Sequence, residues 1–491
     1  MAPRSTLHAL AVGALCLALA ALTGCGSDGG EPSSSKGGTS AAGQPSAPTE
    51  SRAPSRGKGS KDPDDLNGDG HRDLVLPLFT QPGQDPAEGT DERVGVVYGS
   101  AKGLDPATRT VLGRRDLGLP GPPANPPVGA AGRDSVATKD VVTADLDGDG
   151  FADVVTTAAT GEPVGDGHIS AARSAPYVTW GGSGDPAKGA GAIPVRLPES
   201  ASKLGVTSVV RGDFDGDGHH DLAGLAQNQS STVVLYGPFT RSGEPKRTDT
   251  SLPFTDGDLA ADEIDPSGKG RATSLLVHGI SDGEQSPSTL YPASRGTGLS
   301  AEGRKLRGGN AHAFGDFDRD GQRDVAVGDD GSRNDEPGEG TEPADVDGKL
   351  TVYPGSGGAP VTHRLPEAPK GASTPYGPGG FTAADPDGDG RDGILVATYE
   401  GATLIDGDER TPVTRRGPAK ADGEKTPEKW RHARPAGAAD FDGDGKDELI
   451  LNWGSGTYFG LYGEQPTRWW ITDGTTSRDK TSFTTTEFVR R

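Results

Sequence analysis

Short apolar runs, four to seven residues long and often β-branched, recur along this chain and define its predicted elements. Asp73 is followed by LVLPLF, Asp153 by VVTTAA, Asp221 by LAGLA and Asp324 by VAVG; Gly393 is followed by ILVATY and Glu448 by LILNW. Runs of this length and composition suit buried strands better than helices. Shorter runs precede them, such as VVTA from Val141 and TSVV from Thr207. A third set ends in aromatic or glycine-rich turns, beginning at Arg93, Tyr177, Thr232, Lys349, Ala402 and Thr457. Only one apolar stretch is longer, Leu7 to Leu22, with Arg4 as the sole charge before it.

The polar segments between the first two strands of each set repeat. Asp65, Asn67, Asp69, His71 and Asp73 occupy positions 1, 3, 5, 7 and 9 of the first copy. The same positions are Asp145, Asp147, Asp149, Phe151 and Asp153 in the second, and Asp213, Asp215, Asp217, His219 and Asp221 in the third. Further copies hold Asp316, Asp318, Asp320, Gln322 and Asp324; Asp385, Asp387, Asp389, Arg391 and Gly393; and Asp440, Asp442, Asp444, Lys446 and Glu448. A degenerate copy, fourth in chain order, runs from Asp265 to Thr273 with Ser267 and Lys269 where carboxylates belong. The seven starts are 51 to 80 residues apart. Strand, Asp loop, strand, loop, strand and a less regular fourth strand make a propeller blade. The predicted fold is all-β, a seven-bladed β-propeller of four-stranded antiparallel blades over residues 62–491.

Oxygen donors at positions 1, 3, 5 and 9, with the backbone carbonyl of position 7, can wrap a hard cation. Calcium takes six to eight oxygens at about 2.3–2.6 Å in flexible geometry, whereas magnesium prefers a smaller octahedron. Glycines at positions 4 and 6 permit the turn dihedrals that point the donors inward. An EF-hand needs an acidic residue at position 12, where this chain has Leu76, Thr156, Gly224, Val327, Val396 and Leu451. The motif therefore predicts five or six Ca²⁺ sites and none at Asp265–Thr273, where the Lys269 ammonium is expected to take the cation's place. Gly393 weakens its loop unless Asp392 or water substitutes.

Composition alone suggests something else. The chain has 491 residues, 78 of them Gly and 40 Pro, and 71 acidic against 49 basic side chains for a net charge of −22. High net charge with few large aliphatics is the signature of disorder. It excludes a nucleic-acid binder working through a basic face and a polytopic membrane protein. Twenty-two acidic side chains fall on the motif positions of the six clear copies, equal to the whole formal excess.

The form Asp-x-Asp-Gly-Asp-Gly-x-x-Asp-Leu, followed by an apolar strand and a Val/Tyr-Tyr-Gly strand, resembles FG-GAP/VCBS repeats of the integrin α-subunit propeller and bacterial secreted proteins. The resemblance covers roughly residue 62 to the C-terminus. It implies Ca²⁺ between the first two strands of a blade, at positions 1, 3, 5, 7 and 9. Copy one lacks an obvious preceding strand, and the segment Ser482–Val489 is expected to supply it and close the ring. Arg211-Gly212-Asp213 spells the tripeptide integrins recognise, but Asp213 is better read as loop position 1.

Residues 1–24 read as a signal peptide. Leu22-Thr23-Gly24-Cys25 resembles a bacterial lipobox, which implies lipidation of Cys25 and an extracytoplasmic, membrane-anchored protein. Residues 25–61, rich in Ser, Gly and Pro, read as a flexible tether. No nucleophile, zinc or phosphate-loop motif is present, so no catalytic residue is assigned. Trp469-Trp470 are expected in blade packing, and Trp430 is a contact candidate. The expected role is a monomeric binding or adhesion module for a protein or glycan. Alternatives are a carbohydrate-active enzyme with its site in the channel, for which the sequence offers no convergent set of charged or His side chains, and a structural surface protein.

Overall fold

The computed structural model describes residues 44–79, 92–121, 134–164, 171–183, 191–227, 231–253, 257–279, 286–329, 348–365, 380–421, 423–455 and 465–489. Cys25 and the signal segment lie outside them. Seven antiparallel blade sheets follow one another along the chain, built from consecutive strands except in blade 4, where the small hairpin of Ala293–Ser294 and Gly298–Leu299 comes before the fourth strand, Arg304–Gly309. Blade 1 comprises Leu74–Phe79, Glu92–Tyr98 and Asp105–Leu112; blade 2 begins with Val141–Ala144 and Asp153–Val164; blade 3 with Val206–Gly212 and Asp221–Ala226. Blade 4 begins with Asp258–Ala261 and Leu275–His278, blade 5 with Ala311–Gly315 and Asp324–Gly328, blade 6 with Phe381–Ala384 and Gly393–Thr398, and blade 7 with Arg434–Ala439 and Glu448–Trp453. Blades 2 to 7 have four strands each; blade 1 has three among the described residues. Helix is confined to Glu199–Leu204 and two 3-10 turns among the described residues.

Register places five of the six clear Asp loops at the tip of a blade's first hairpin; loop 1 precedes the first described strand of blade 1. Ala144 pairs with Asp153, Gly212 with Asp221, Gly315 with Asp324, Ala384 with Gly393 and Ala439 with Glu448. In these loops motif position 9 faces the residue just before position 1, and eight residues, positions 1 to 8, fill the turn between them. The second strands are the most buried: Asp221–Ala226, Asp324–Gly328 and Gly393–Thr398 are buried throughout. That is why they read as unbroken apolar runs and not as alternating ones.

Each blade interface holds its own apolar cluster. Leu66, Val96, Leu112 and Val154 join blades 1 and 2; Leu146, Val155, Val209 and Leu222 join blades 2 and 3. Phe214, Tyr236, Leu275 and Tyr291 join blades 3 and 4, and the smallest cluster, Leu276, Leu306, Val325 and Val327, joins blades 4 and 5. Phe381 and Ile394 meet Leu350 at the next interface, and Trp453 and Trp470 meet Leu404 and Val413 at the sixth. Each fully buried side chain of this size contributes about 1.5–3 kcal/mol. Many small cores thus replace the single aliphatic core that the composition denies.

The ring closes differently from the expectation. Asp479–Thr484 pairs with Arg468–Thr472 as the outer strand of blade 7, so it does not supply the missing strand of blade 1. Closure comes from Leu74, Leu76, Leu78 and Val97 of blade 1 packed against Phe441, Ile450, Trp469 and Phe483 of blade 7. The third strand of blade 7 is Arg468–Thr472; the strand expected at Thr457 lies outside the described residues. Part of the expected tether is also structured. Ser46 bridges Phe483, Arg52 bridges Thr108, and the N–H groups of Gly57, Gly59 and Ser60 donate to the carbonyls of Asn67, Gly68 and Gly150. These bonds run residues 46–60 from the outer strand of blade 7 past the strand Asp105–Leu112 of blade 1 to the Asp loops of blades 1 and 2, although the segment has almost no apolar side chain to bury.

Candidate metal loops at the blade hairpins

The position 1 carboxylate organises each loop. Asp440 Oδ1 accepts the N–H groups of Gly443 and Asp444 at 2.8 and 3.1 Å, and its Oδ2 accepts Gly445 N–H at 2.8 Å. Asp65 and Asp385 accept the corresponding three N–H groups, and Asp316 accepts those of Asp320 and Gly321. Position 5 accepts from position 7: His71 donates to Asp69, Phe151 to Asp149, His219 to Asp217, Gln322 to Asp320, Arg391 to Asp389 and Lys446 to Asp444. This winding needs left-handed residues at positions 4 and 6, as at Gly68 (φ 69°) and Gly70 (φ 90°). In the fifth copy a non-glycine, Arg319, takes that conformation with φ 62°.

Position 9 does more than the motif implied. Asp73, Asp153, Asp221 and Asp324 each accept through Oδ2 the N–H of position 2, and through Oδ1 the N–H of a glycine after the third strand. Those glycines are Gly99, Gly181, Gly237 and Gly355, at 2.7–2.9 Å. One carboxylate thus ties the loop to the sheet. Burial, reinforced by the neighbouring loop carboxylates and opposed by these N–H groups, pushes Asp153 and Asp221 up to about 8 and Asp324 to about 6. Asp73 is also held high by burial.

Five loops bring three carboxylates within 4.8 Å of one another. They are Asp145, Asp147 and Asp153; Asp213, Asp215 and Asp221; Asp316, Asp318 and Asp320; Asp385, Asp387 and Asp389; and Asp440, Asp442 and Glu448. Oxygens around a cation with ~2.3–2.6 Å bonds lie within about 5 Å of each other, so these sets fit calcium-sized coordination. Loop 1, with Asn67 at position 3, forms no such carboxylate triad among the described residues; Asn67 Nδ2 instead donates to Asp69 at 3.0 Å.

Two expectations are corrected. Lys269 is exposed and its loop is closed by Ser267, whose Oγ donates to Asp265 Oδ1 at 2.7 Å, so its ammonium does not stand in for a cation. Asp392 does not substitute at position 9 of loop 6: it turns to blade 5, where it accepts Asp316 N–H at 2.7 Å and Arg323 Nη1 at 2.8 Å. Arg211 and Asp213 of the integrin-type tripeptide are both engaged internally, Arg211 on Asp64 at 2.5 and 2.7 Å. Trp469 and Trp470 are buried in blade packing, as expected.

Asp392 belongs to a set that sequence reasoning missed. Position 8 reaches back to position 1 of the preceding blade: His220 Nδ1 accepts Asp145 N–H at 2.8 Å, and Asp447 Oδ2 accepts Asp385 N–H at 2.8 Å. Position 8 had no common residue type, so only the fold reveals the role. Burial, with Arg211 and Lys61 nearby, lowers His220 to about 3, which keeps it a neutral acceptor.

The channel also holds a charged set that the sequence did not disclose. A cavity of about 630 Å³ is walled by small residues of the first strands, including Ala260, Ala313, Ala383 and Ala438, and by Asp62, Arg72, Glu263, His312, Arg323 and Asp447. Arg72 pairs with Asp62 at 3.0 Å and Arg323 with Asp262 at 3.0 Å. His312, lowered to about 4 by burial and by His278, leaves Nδ1 without a hydrogen-bond partner.

No family model and no curated protein matches the chain. Among solved structures it is similar to BBS1N from a complex with ARL6DN, at 12% identity, covering 81% of this chain and 90% of that one with a TM-score of 0.39. It is also similar to the Photorhabdus luminescens Tc holotoxin pore, at 14% identity, covering 83% of this chain and 17% of that one with a TM-score of 0.33. At these values the propeller assignment rests on the chain's own sheets.

Proposed function

We propose that the Asp loops are calcium sites of an FG-GAP/VCBS-like propeller, and that the propeller is a binding or adhesion module for a protein or glycan. The observation that carries this reading is the recurrence of a three-carboxylate set at one structural position in five blades. Carboxylates this close repel one another, and a divalent ion with hard oxygen ligands is the economical neutralisation. Calcium would be held by positions 1, 3, 5 and 9 and the carbonyl of position 7, stiffening each hairpin tip. A scaffold so stiffened would present its excursions, including the part of 238–262 before the strand Asp258–Ala261, and 407–433, as a contact surface. Trp430, half-buried at the end of the 3-10 turn Glu428–Trp430, lies in the second of these. The excursion 330–347 lies outside the described residues, as do parts of 113–135, 160–175, 238–262 and 407–433. Lipidation at Cys25 would place the module on the outer face of a cell membrane. Arrays of glycans and surface proteins probed with the full chain, in calcium and in chelator, test the role; calcium-dependent capture supports it, and calcium-independent or absent capture opposes it.

A second reading, a carbohydrate-active channel, draws on the cavity flanked by Glu263, His312 and Asp447. Release of reducing sugar from a polysaccharide panel, abolished by Glu263→Gln, would favour it over the binding module.

A further inference from the structure

Lys480 lies on the outer strand of blade 7, outside the Asp motif. Its Nζ stands 2.6 Å from Asp442 Oδ2, 3.3 Å from Asp444 Oδ2 and 2.5 Å from Glu448 Oε1. These are positions 3, 5 and 9 of one loop, and an ammonium has three N–H donors to satisfy them. We propose that Lys480 is a built-in cation of the blade 7 loop, which sets that loop apart as the weakest calcium site of the propeller and keeps it closed when calcium is scarce. The proposal rests on the reading of the other loops as calcium sites.

Two features distinguish this ammonium from the other basic side chains near the loops. Arg241 contacts Asp147 and Asp149, Lys246 contacts Asp217 and Arg247 contacts Asp215, but these side chains are 42–59% exposed and none is bonded to a position 9 carboxylate. Exposed pairs of that kind are worth little and yield readily to a divalent ion. Lys480 is only 21% exposed, and its partner Glu448 is 2% exposed. The second feature is the residue at position 9. Asp73, Asp153, Asp221 and Asp324 give Oδ1 to a glycine N–H. Glu448, the one glutamate at this position, keeps the bond to position 2 through Oε2, from Phe441 N–H at 3.0 Å, and directs Oε1 to Lys480.

The location gives the device a purpose. Phe441, inside the loop, packs with Ile450 and Phe483 against Leu74 and Leu76, the seam where the last blade meets the first. Among the described residues that seam closes the ring without a shared strand. A resident ammonium neutralises its loop at any calcium concentration, whereas calcium entering there must displace a partly buried charge from three carboxylates.

Hydrogen exchange of the chelator-stripped wild-type chain during a calcium titration provides the first test. Peptides covering 145–153, 213–221 and 316–324 are expected to gain protection at calcium concentrations that leave 440–448 unchanged. Protection of 440–448 at the same concentrations overturns the proposal. Calorimetric calcium titration of Lys480→Gln is the second test: it should show one additional calcium, or one site tightened by roughly tenfold or more. Identical isotherms for variant and wild type overturn the proposal. If neither chain binds calcium, the calcium reading itself fails.

Discussion

His220 of blade 3 accepts the backbone N–H of Asp145 of blade 2 through Nδ1 at 2.8 Å. The bond fixes the first residue of one Asp loop from the hairpin of the next blade. The same reach recurs where Asp447 holds Asp385 and where Asp392 holds Asp316. Loop geometry is therefore a property of neighbouring blades together. His220→Ala leaves a buried N–H without a partner, which costs about 1–3 kcal/mol. Urea denaturation should show that loss, and a variant within 0.5 kcal/mol of the wild type (roughly the range for neutral surface changes) would show that the bond is dispensable.

Acidity should act on the stripped protein in a direction opposite to the usual one for carboxylates. Asp153 and Asp221 are raised to about 8 by burial, so the folded chain keeps protons that the unfolded chain releases. Their contribution is present at low pH and is lost as pH rises through about 8. His220 and His312, lowered to about 3 and about 4, oppose this trend only below the ordinary histidine value. Between pH 6.5 and 8, a window set by the reference histidine pKa of ~6.5 and these carboxyls, stability in chelator should fall as pH rises. The limit is about 1.4 kcal/mol per pH unit for each group. Saturating calcium should reverse the slope, because the metal binds the ionised carboxylates. Equal slopes with and without calcium would contradict the assignment of Asp153 and Asp221 to the metal.

Arg319 holds a left-handed conformation at φ 62°, where five of the six clear loops have glycine. An L-residue in this region costs roughly 1–2 kcal/mol, and the Arg319–Asp389 pair at 3.2 Å is exposed and worth less. Arg319→Gly should raise the denaturation midpoint of the calcium-loaded protein. A lowered midpoint would mean that Arg319 makes a larger contribution than its visible pair.

Phe483 tests the seam. Its ring stacks between Trp469 and Phe488, with centroids 6.5 and 5.9 Å away, and it is 1% exposed. Phe483→Ala should cost about 3–5 kcal/mol, measured by calorimetry. A cost below 1 kcal/mol, roughly the least expected from a core truncation of any size, would indicate that the ring does not depend on blade 7 meeting blade 1 here.

The Asp loops were legible because donors, turn glycines and flanking strands sit within a dozen contiguous residues. What lay outside that window was not. Lys480 and Glu448 meet across a sheet, and position 8 varies between His220, Asp392 and Asp447 while doing one job. Residues 46–60 have the composition of a tether, and it is their backbone and arginine bonds to blades 7, 1 and 2 that give them a place. The channel's charged set is assembled from blades 1, 4, 5 and 7, so no local pattern could disclose it. The third strand of blade 7 was misplaced because Thr457–Gly463 carries the aromatic–glycine ending, whereas Arg468–Thr472 has the apolar residues that the sheet buries.

The central claim is that order in this chain depends on calcium in the Asp loops. Scanning calorimetry of the full chain with and without chelator, paired with a metal count, tests it most directly. Each site saturated at a hundredfold excess over its Kd adds about 2.7 kcal/mol. Several calcium ions should be bound per chain, and the transition temperature should drop sharply in chelator. A protein that holds no calcium and unfolds at the same temperature in both conditions would contradict it.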